Sequence, residues 1–327
     1  MRFRFSLLYS ILILAVFGIF ALEAKAAVSD DVLVQVIPSN PAPNENVDII
    51  LKSFVYNLDS VSISWSVNGK MVASSIGKKT FSTTAGKTGE GINVVATISL
   101  PNGTIDTKIT IKSSVMILLW QANDSYVPPF YKGKALPSQE SEVKVVAMPE
   151  IKSGSGIIPS QNLVYSWKKD YVNESNNSGY GKNYFLFVND YLEDSNIISV
   201  TASTTDQTNS SNADINIGTS QPKILFYRND SNLGTIWEKT LDDTHKIKDK
   251  EVVSAIPYFI SPKEILNPTL VWSWFINDTG VNLTGFNKNS MPLQTQAGVH
   301  GTSKLRLDIA NSDKVFQTAS KEISIEF

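Results

Sequence analysis

The sequence predicts an all-β protein made of three tandem β-sandwiches behind an N-terminal signal peptide. Two observations carry that prediction. A strand centred on tryptophan is written three times, as VSISWSVNG (Val61–Gly69), LVYSWKKD (Leu163–Asp170) and LVWSWFIND (Leu270–Asp278), at spacings of 102 and 107 residues between Trp65, Trp167 and Trp274. The stretch after each Trp then repeats the same order of polar turn, second alternating strand and closing strand. At 327 residues the chain has room for two or three domains, and 42% hydrophobic against 18% charged residues is enough to bury a core in each.

The first residues are read separately. Arg2 and Arg4 form a positive start, Ser6–Leu22 is an uncharged and mostly apolar run, and Ala24 and Ala26 supply small residues at a cleavage site. Cleavage after Ala26 gives a signal peptide over 1–26. The alternative is a retained signal anchor, since the apolar run approaches spanning length. Removing 1–26 takes away Arg2, Arg4, Lys25 and Glu23 and leaves a net charge of −4, which gives nucleic acid no basic footprint to bind. A membrane partner is expected only if that first segment stays attached. The chain has no cysteine, so disulfides, thiolate metal sites and a Cys nucleophile are excluded, and stability must come from apolar packing.

Each Trp-centred stretch alternates with period two. Val61, Ile63, Trp65 and Val67 share one face; so do Leu163, Tyr165 and Trp167, and so do Leu270, Trp272, Trp274 and Ile276. The second strands are Ile92–Leu100, Ile197–Ser203 and Lys304–Ala310; the closing strands are Thr107–Lys112, Ala213–Gly218 and Lys321–Phe327. Repeats two and three are the closer pair: Ile117–Ser125 (ILLWQANDS) matches Ile224–Ser231 (ILFYRNDS), and Glu142–Ile151 matches Glu251–Ile260. The units therefore run over 28–113, 114–219 and 220–327. Each has about seven short strands between Gly, Asn, Asp and Ser turns, the pattern of an immunoglobulin-like sandwich. No amphipathic helix is expected, although Tyr126–Leu136 and Leu233–Leu241 leave room for a helical turn. Short junctions between the units favour a semi-rigid rod.

A family resemblance rests on these residues. GINVVATISLPNGTIDTKITI (Gly91–Ile111) resembles the last hairpin of PKD-type and bacterial immunoglobulin-like domains, and VSISWSVNGK (Val61–Lys70) resembles their middle strand. The resemblance implies a PKD-like or immunoglobulin-like fold in an exported bacterial protein, and says little of function. The chain departs from it in two ways. The W-x-F-G-D-G run of PKD domains is absent, and so is the cysteine pair of antibody domains, so the three Trp are expected to pack on aliphatic side chains.

Little in the sequence points to catalysis. His245 and His300 lie in separate polar stretches and read as surface loop histidines, and no G-x-S-x-G turn accompanies them. The Asn123-Asp124-Ser125 and Asn229-Asp230-Ser231 triplets fall at matching places in two repeats. Asp124 and Asp230 are the weak candidates for Ca²⁺, but one carboxylate per triplet suits an Asx turn better than a cation needing six to eight oxygens. No cofactor is expected. Trp120, Phe130, Tyr131, Trp237 and the run 184–187 are aromatic candidates for contact surfaces, and Phe275, on the polar face of the Trp274 strand, is the weak candidate for an exposed binding residue. The expected function is therefore a non-enzymatic, extracellular or cell-surface spacer, envelope component or adhesive module whose partner is a surface protein or glycan. A carbohydrate-binding or pilus-associated module is the alternative.

Overall fold

The computed structural model describes residues 31–153, 156–296 and 298–327; the expected signal peptide over 1–26 lies outside them. The chain is a tandem of immunoglobulin-like β-sandwiches. Among the described residues the one helical element is a 3-10 turn at Ser160–Asn162. Neither segment with room for a helical turn forms one: 126–136 is irregular, and 233–241 holds the strand Gly234–Thr240.

Two compact units divide the chain. Of the described residues, the first comprises 31–39, Asn46–Thr83 and Asn93–Thr110, and the second takes in 40–45, 84–92 and those of Ile111–Phe327. In the first unit a three-stranded sheet places Asn46–Lys52 between Leu33–Ile37 and Thr80–Thr84. A four-stranded sheet runs in the order Lys70–Ile76, Ser62–Val67, Gly91–Leu100, Gly103–Lys112. Alternate residues Val47, Ile49 and Leu51 of one sheet, and Ile63, Trp65, Val94, Ala96 and Ile98 of the other, are buried.

The second unit holds two sandwiches. In one, the sheet Tyr184–Val188, Glu142–Glu150, Val115–Ala122 faces the sheet Val172–Asn173, Val164–Lys169, Ser195–Ser203, Ser210–Gly218. Val143, Val145, Ala147, Tyr165, Trp167, Phe185, Ile198 and Val200 fill the space between them. In the other, the sheet Gly234–Thr240, Lys223–Asp230, Lys250–Tyr258, Ser290–Gln294 faces a five-stranded sheet. That second sheet contains Thr244–Lys246, Thr318–Glu326, Thr302–Asn311, Leu270–Ile276 and Thr279–Val281.

Three devices recur at the same distance from each Trp. The residue three places on is Asn68, Asp170 or Asn277, with φ of 49°, 48° and 47°, and the next residue (Gly69, Tyr171 or Asp278) also has positive φ. Two such residues in a row make the hairpin turn that matches the twist of the flanking strands. The Oδ1 of Asn68, Asp170 and Asn277 accepts the amide of Asn93, Ile197 and Lys304 at 3.0, 2.7 and 2.8 Å. Their own amides donate back to the same three residues' carbonyls.

The second device joins the two sheets. Each indole N–H donates to a lysine carbonyl just before a strand of the opposite sheet: Trp65 to Lys78 at 2.9 Å, Trp167 to Lys182 at 2.8 Å and Trp274 to Lys288 at 2.9 Å. The following carbonyl, of Lys79, Asn183 or Asn289, accepts the amide of Leu51, Ala147 or Ala255.

The third device is aromatic. Trp65 stacks on Phe81 with centroids 5.1 Å apart, Trp167 on Phe185 at 5.7 Å and Trp274 on Phe226 at 5.6 Å. This adds an aromatic partner to the expected aliphatic packing, which the clusters around Trp167 and Trp274 also show. With no disulfide to occupy the centre of the sandwich, a second flat ring fills the space beside the indole. In the third sandwich the place of Phe81 and Phe185 is held by Met291, and the ring comes from Phe226, two strands away in the same sheet.

The second and third sandwiches also correct one sequence alignment. Met116 pairs with Pro149 and Ile224 with Pro257, so the prolines are equivalent and Glu142 corresponds to Lys250, not to Glu251.

Trp167→Phe keeps the apolar ring but leaves the Lys182 carbonyl without its donor, and should cost about 1–3 kcal/mol. Trp167→Ala should cost about 3–5 kcal/mol. Urea unfolding checks both, and a Phe variant as stable as the native protein would remove the role assigned to the indole N–H. Tyr165 is buried beside this Trp and donates to Ser160 O at 2.8 Å, and burial pushes its phenol up to about 12 from 10. The protonated phenol is the form the fold keeps, so this contribution is complete below pH 10 and falls away as pH rises towards 12. The stability gap between the native chain and Tyr165→Phe should therefore narrow over that range in thermal melts.

Candidate interaction surfaces

Within the second unit the two sandwiches clasp each other through loops. From the third sandwich, the turn between its last two strands reaches the second. There the Lys314 ammonium pairs with Asp124 and donates to Glu140 O at 2.7 Å, Phe316 N donates to Glu140 Oε2 at 3.0 Å, and the Phe316 ring stacks on Tyr191 at 4.4 Å. Gln317, fully buried, donates to Gln139 O at 2.7 Å and accepts from Ser261 N at 2.8 Å. Asn311 donates to Ser261 O at 2.6 Å and to Gln317 Oε1 at 3.2 Å, which completes a buried polar network.

From the second sandwich, residues 126–136 cross onto the outer face of the third. Ser125 Oγ donates to Leu136 O at 2.7 Å and closes this segment at its base. Tyr126 N donates to Ile260 O, and Phe259 N donates to Tyr126 O. Tyr126, Val127 and Leu136 then pack on Tyr227, Ile256, Tyr258 and Phe259, with Trp237 beside them. The Tyr227 and Tyr258 hydroxyls lie 2.7 Å apart; burial and this hydrogen bond hold the Tyr258 phenol well above its usual value.

The two aspartates singled out by the sequence do different work, because the triplets are not equivalent in register. Asp124 accepts the Glu142 amide at 3.0 Å on one oxygen and Lys314 on the other, so its carboxylate is spent on the clasp. Asp230 ends a strand and accepts the amides of Asn232 and Leu233 at 2.9 and 3.1 Å, which hold its carboxyl below the usual range. His245 departs from the loop reading. It sits half-buried on the strand Thr244–Lys246, with Nε2 at 3.0 Å from the Glu251 carboxylate. His300 is exposed outside any strand.

Phe275 is not a free platform. The Arg306 guanidinium lies 4.4 Å over its ring from the neighbouring strand, and the side chain is half-buried. Trp120 is likewise half-buried against its own core, under the Lys134 ammonium. Phe130 and Tyr184 are exposed, while Phe185 and Phe187 are buried. Tyr184 belongs to an open apolar face on the second sandwich, where Leu119 and Tyr184 flank Val146, and Ile117 lies opposite Met148. The same face of the third sandwich is the one that 126–136 covers. Among the described residues no strand pairs with the outer edge of Val115–Ala122. Tyr171 is exposed with φ of 68°, in a turn position where the other repeats place Gly69 and Asp278.

A groove of about 1010 Å³ opens on the third sandwich. Asp230 and the His245–Glu251 pair line it together with Arg228, Lys246, Lys248, Lys250 and the exposed ring of Phe286. Nothing in the sequence separated these lysines from ordinary surface charge; the alternation of Lys246, Lys248 and Lys250 about the buried Ile247 was the available signal.

No family model and no curated protein matches the chain. Among solved structures it is similar to fibronectin(III)-like modules of Clostridium thermocellum CbhA, at 16% identity over 58% of this chain and 95% of that one, with a TM-score of 0.26. It is also similar to three N-terminal domains of the bacteriophage RB49 outer capsid protein Hoc, at 9% identity over 90% and 97% of the two chains and a TM-score of 0.25. Domains 3–5 of Drosophila OTK match at 11% identity over 91% and 97%, with a TM-score of 0.21. Scores this low carry no argument about role, and the fold rests on the sheets themselves.

Lys314→Met should destabilise the second unit by about 1–3 kcal/mol, because Asp124 and the Glu140 carbonyl lose their donor together. A double-mutant cycle with Asp124→Asn should show coupling; additive costs would mean the pair does not act as a clasp. Tyr171→Gly relieves an unfavourable backbone and should gain about 1 kcal/mol in the same melts.

Proposed function

We propose that this chain is a non-catalytic exported module of the cell surface or extracellular space, serving as a spacer or adhesive component. The supporting observation is the reciprocal clasp between the second and third sandwiches. A buried amide network, an ion pair and an apolar segment all hold one domain to the next, and such a junction fixes the direction in which a surface is presented. Tandem β-sandwiches extend reach without new chemistry, and the reading calls for no cofactor. Its partner is a surface protein or a glycan. A carbohydrate-binding module is the second reading, favoured by the exposed Phe286 ring beside cationic side chains in the groove of the third sandwich.

Fractionation of producing cells, with protease shaving and N-terminal sequencing, tests the proposal. A chain beginning at Ala27, in the medium or accessible at the surface, is expected. A full-length chain in the membrane fraction would make it an anchored stalk. Retention in the cytosol would overturn the reading.

A further inference from the structure

We propose that the groove on the third sandwich binds a linear acidic polysaccharide, one bearing carboxylate or sulfate groups along its length. The inference rests on the adhesive reading above and names the ligand class for one of its surfaces.

The groove is electropositive because cationic side chains outnumber carboxylates along it. The Glu251 carboxylate has both oxygens within 3.1 Å of His245 Nε2, and its side chain is 13% exposed. Asp230 accepts the amides of Asn232 and Leu233 and keeps its negative charge beside Arg228. Lys246, Lys248 and Lys250 form no ion pair with a described acid, while Arg228 faces the Asp230 charge and the exposed Asp249 lies between Lys248 and Lys250 in the chain. In a chain of net charge −2, four cations against the two carboxylates of Asp230 and Glu251 make the lining of this groove positive.

Spacing and shape narrow the class. Ile247 is buried, so the flanking Lys246 and Lys248 present their ammonium groups on the same outer side, about 7 Å apart, and Lys250 follows past a bend at Asp249. That arrangement suits a regularly charged chain better than a single small anion. The volume of about 1010 Å³ is likewise open and larger than a lone phosphate or carboxylate fills. Phe286, half-exposed at the groove, offers a flat apolar face for a sugar ring. A duplex nucleic acid would draw on the cations but has no use for a single exposed ring outside its stack.

The test uses the mature full chain and polygalacturonate, dextran sulfate, uncharged dextran and duplex DNA as probes, by calorimetry at about 0.15 M salt. Binding to at least one acidic glycan and none to dextran is expected. Replacing Lys246, Lys248 and Lys250 together by alanine should weaken it about tenfold or more and flatten its salt dependence. The control variant Lys70→Ala/Lys108→Ala/Lys132→Ala, with the same change in net charge, should bind as the native chain does. Phe286→Ala should weaken glycan binding about fivefold with the salt dependence kept. Whether polygalacturonate or dextran sulfate binds more tightly distinguishes carboxylate from sulfate. No binding to either, equal losses in both triple variants, or DNA bound as tightly as the glycan would overturn the proposal. A chain displayed at the surface that fails these tests loses the groove's assignment alone, whereas glycan binding by a chain retained in the cytosol would leave the groove standing and remove the surface reading.

Discussion

The hydrogen bond from each buried indole to a lysine carbonyl across the sandwich is the constraint on which the rest is built. A sandwich of two sheets is stable only if its inner faces stay in register, and an antibody-type domain secures that with a disulfide beside its tryptophan. This chain has no cysteine. Here Trp65, Trp167 and Trp274 each hold the segment that enters the opposite sheet, at 2.8–2.9 Å, and the next carbonyl along takes an amide from that sheet's own strand. Two bonds on adjacent residues fix both the height and the angle at which the strand arrives. A polar atom buried at the centre of a core is tolerated because it is satisfied, and that same requirement makes the geometry unique.

Once the inner faces are fixed, the outer faces are free to differ, and there the repeats diverge. In the third sandwich, Leu225, Tyr227, Ile256 and Tyr258 make the outer face of the first sheet apolar, and residues 126–136 of the preceding domain cover it. In the second, the corresponding face carries Ile117, Leu119, Met148 and Tyr184 and stays open. The strand Gly234–Thr240 shields the edge of Lys223–Asp230, whereas among the described residues Val115–Ala122 has no such neighbour. The domain that gives its loop to a neighbour is the one left with an uncovered face, an asymmetry that follows from chain order.

The strands were largely legible in the sequence because their signal is local. Alternation about Trp65, Trp167 and Trp274 needs only the next residue but one, and the late and closing strands follow the same rule with ends moved by a few residues. The devices around each Trp were less visible. Lys78, Lys182 and Lys288 act through their backbone carbonyls, which no side-chain pattern reports, although the Phe at Phe81 and Phe185, three residues beyond, was a usable sign. Contacts between distant positions were hidden altogether: Lys314 and Asp124 lie 190 residues apart, so the matching triplets looked equivalent when one belongs to a junction and the other to a turn. Phe275 was misjudged for a related reason. Alternation places it on the outer face, but it cannot show that Arg306, across the strand pair, lies over its ring.

Charge follows the same logic of partnership as packing. Acidic residues outnumber basic ones in this chain, yet on the third sandwich many of the acids are already committed. Asp243 pairs with Lys321 at 2.6 Å, Asp242 with Lys239 at 3.1 Å, Glu251 with His245 and Asp278 with Arg306. Field strength at a surface depends on which charges remain uncompensated, not on their sum. A groove lined by Arg228, Lys246, Lys248 and Lys250 against Asp230 and Glu251 is therefore positive within a negative protein. Lys246, Lys248 and Lys250 have no ion-pair partner among the described residues, and their mutual repulsion costs some stability that contacts within the chain do not offset. That cost is what makes the groove stand out as a surface shaped for something outside the chain.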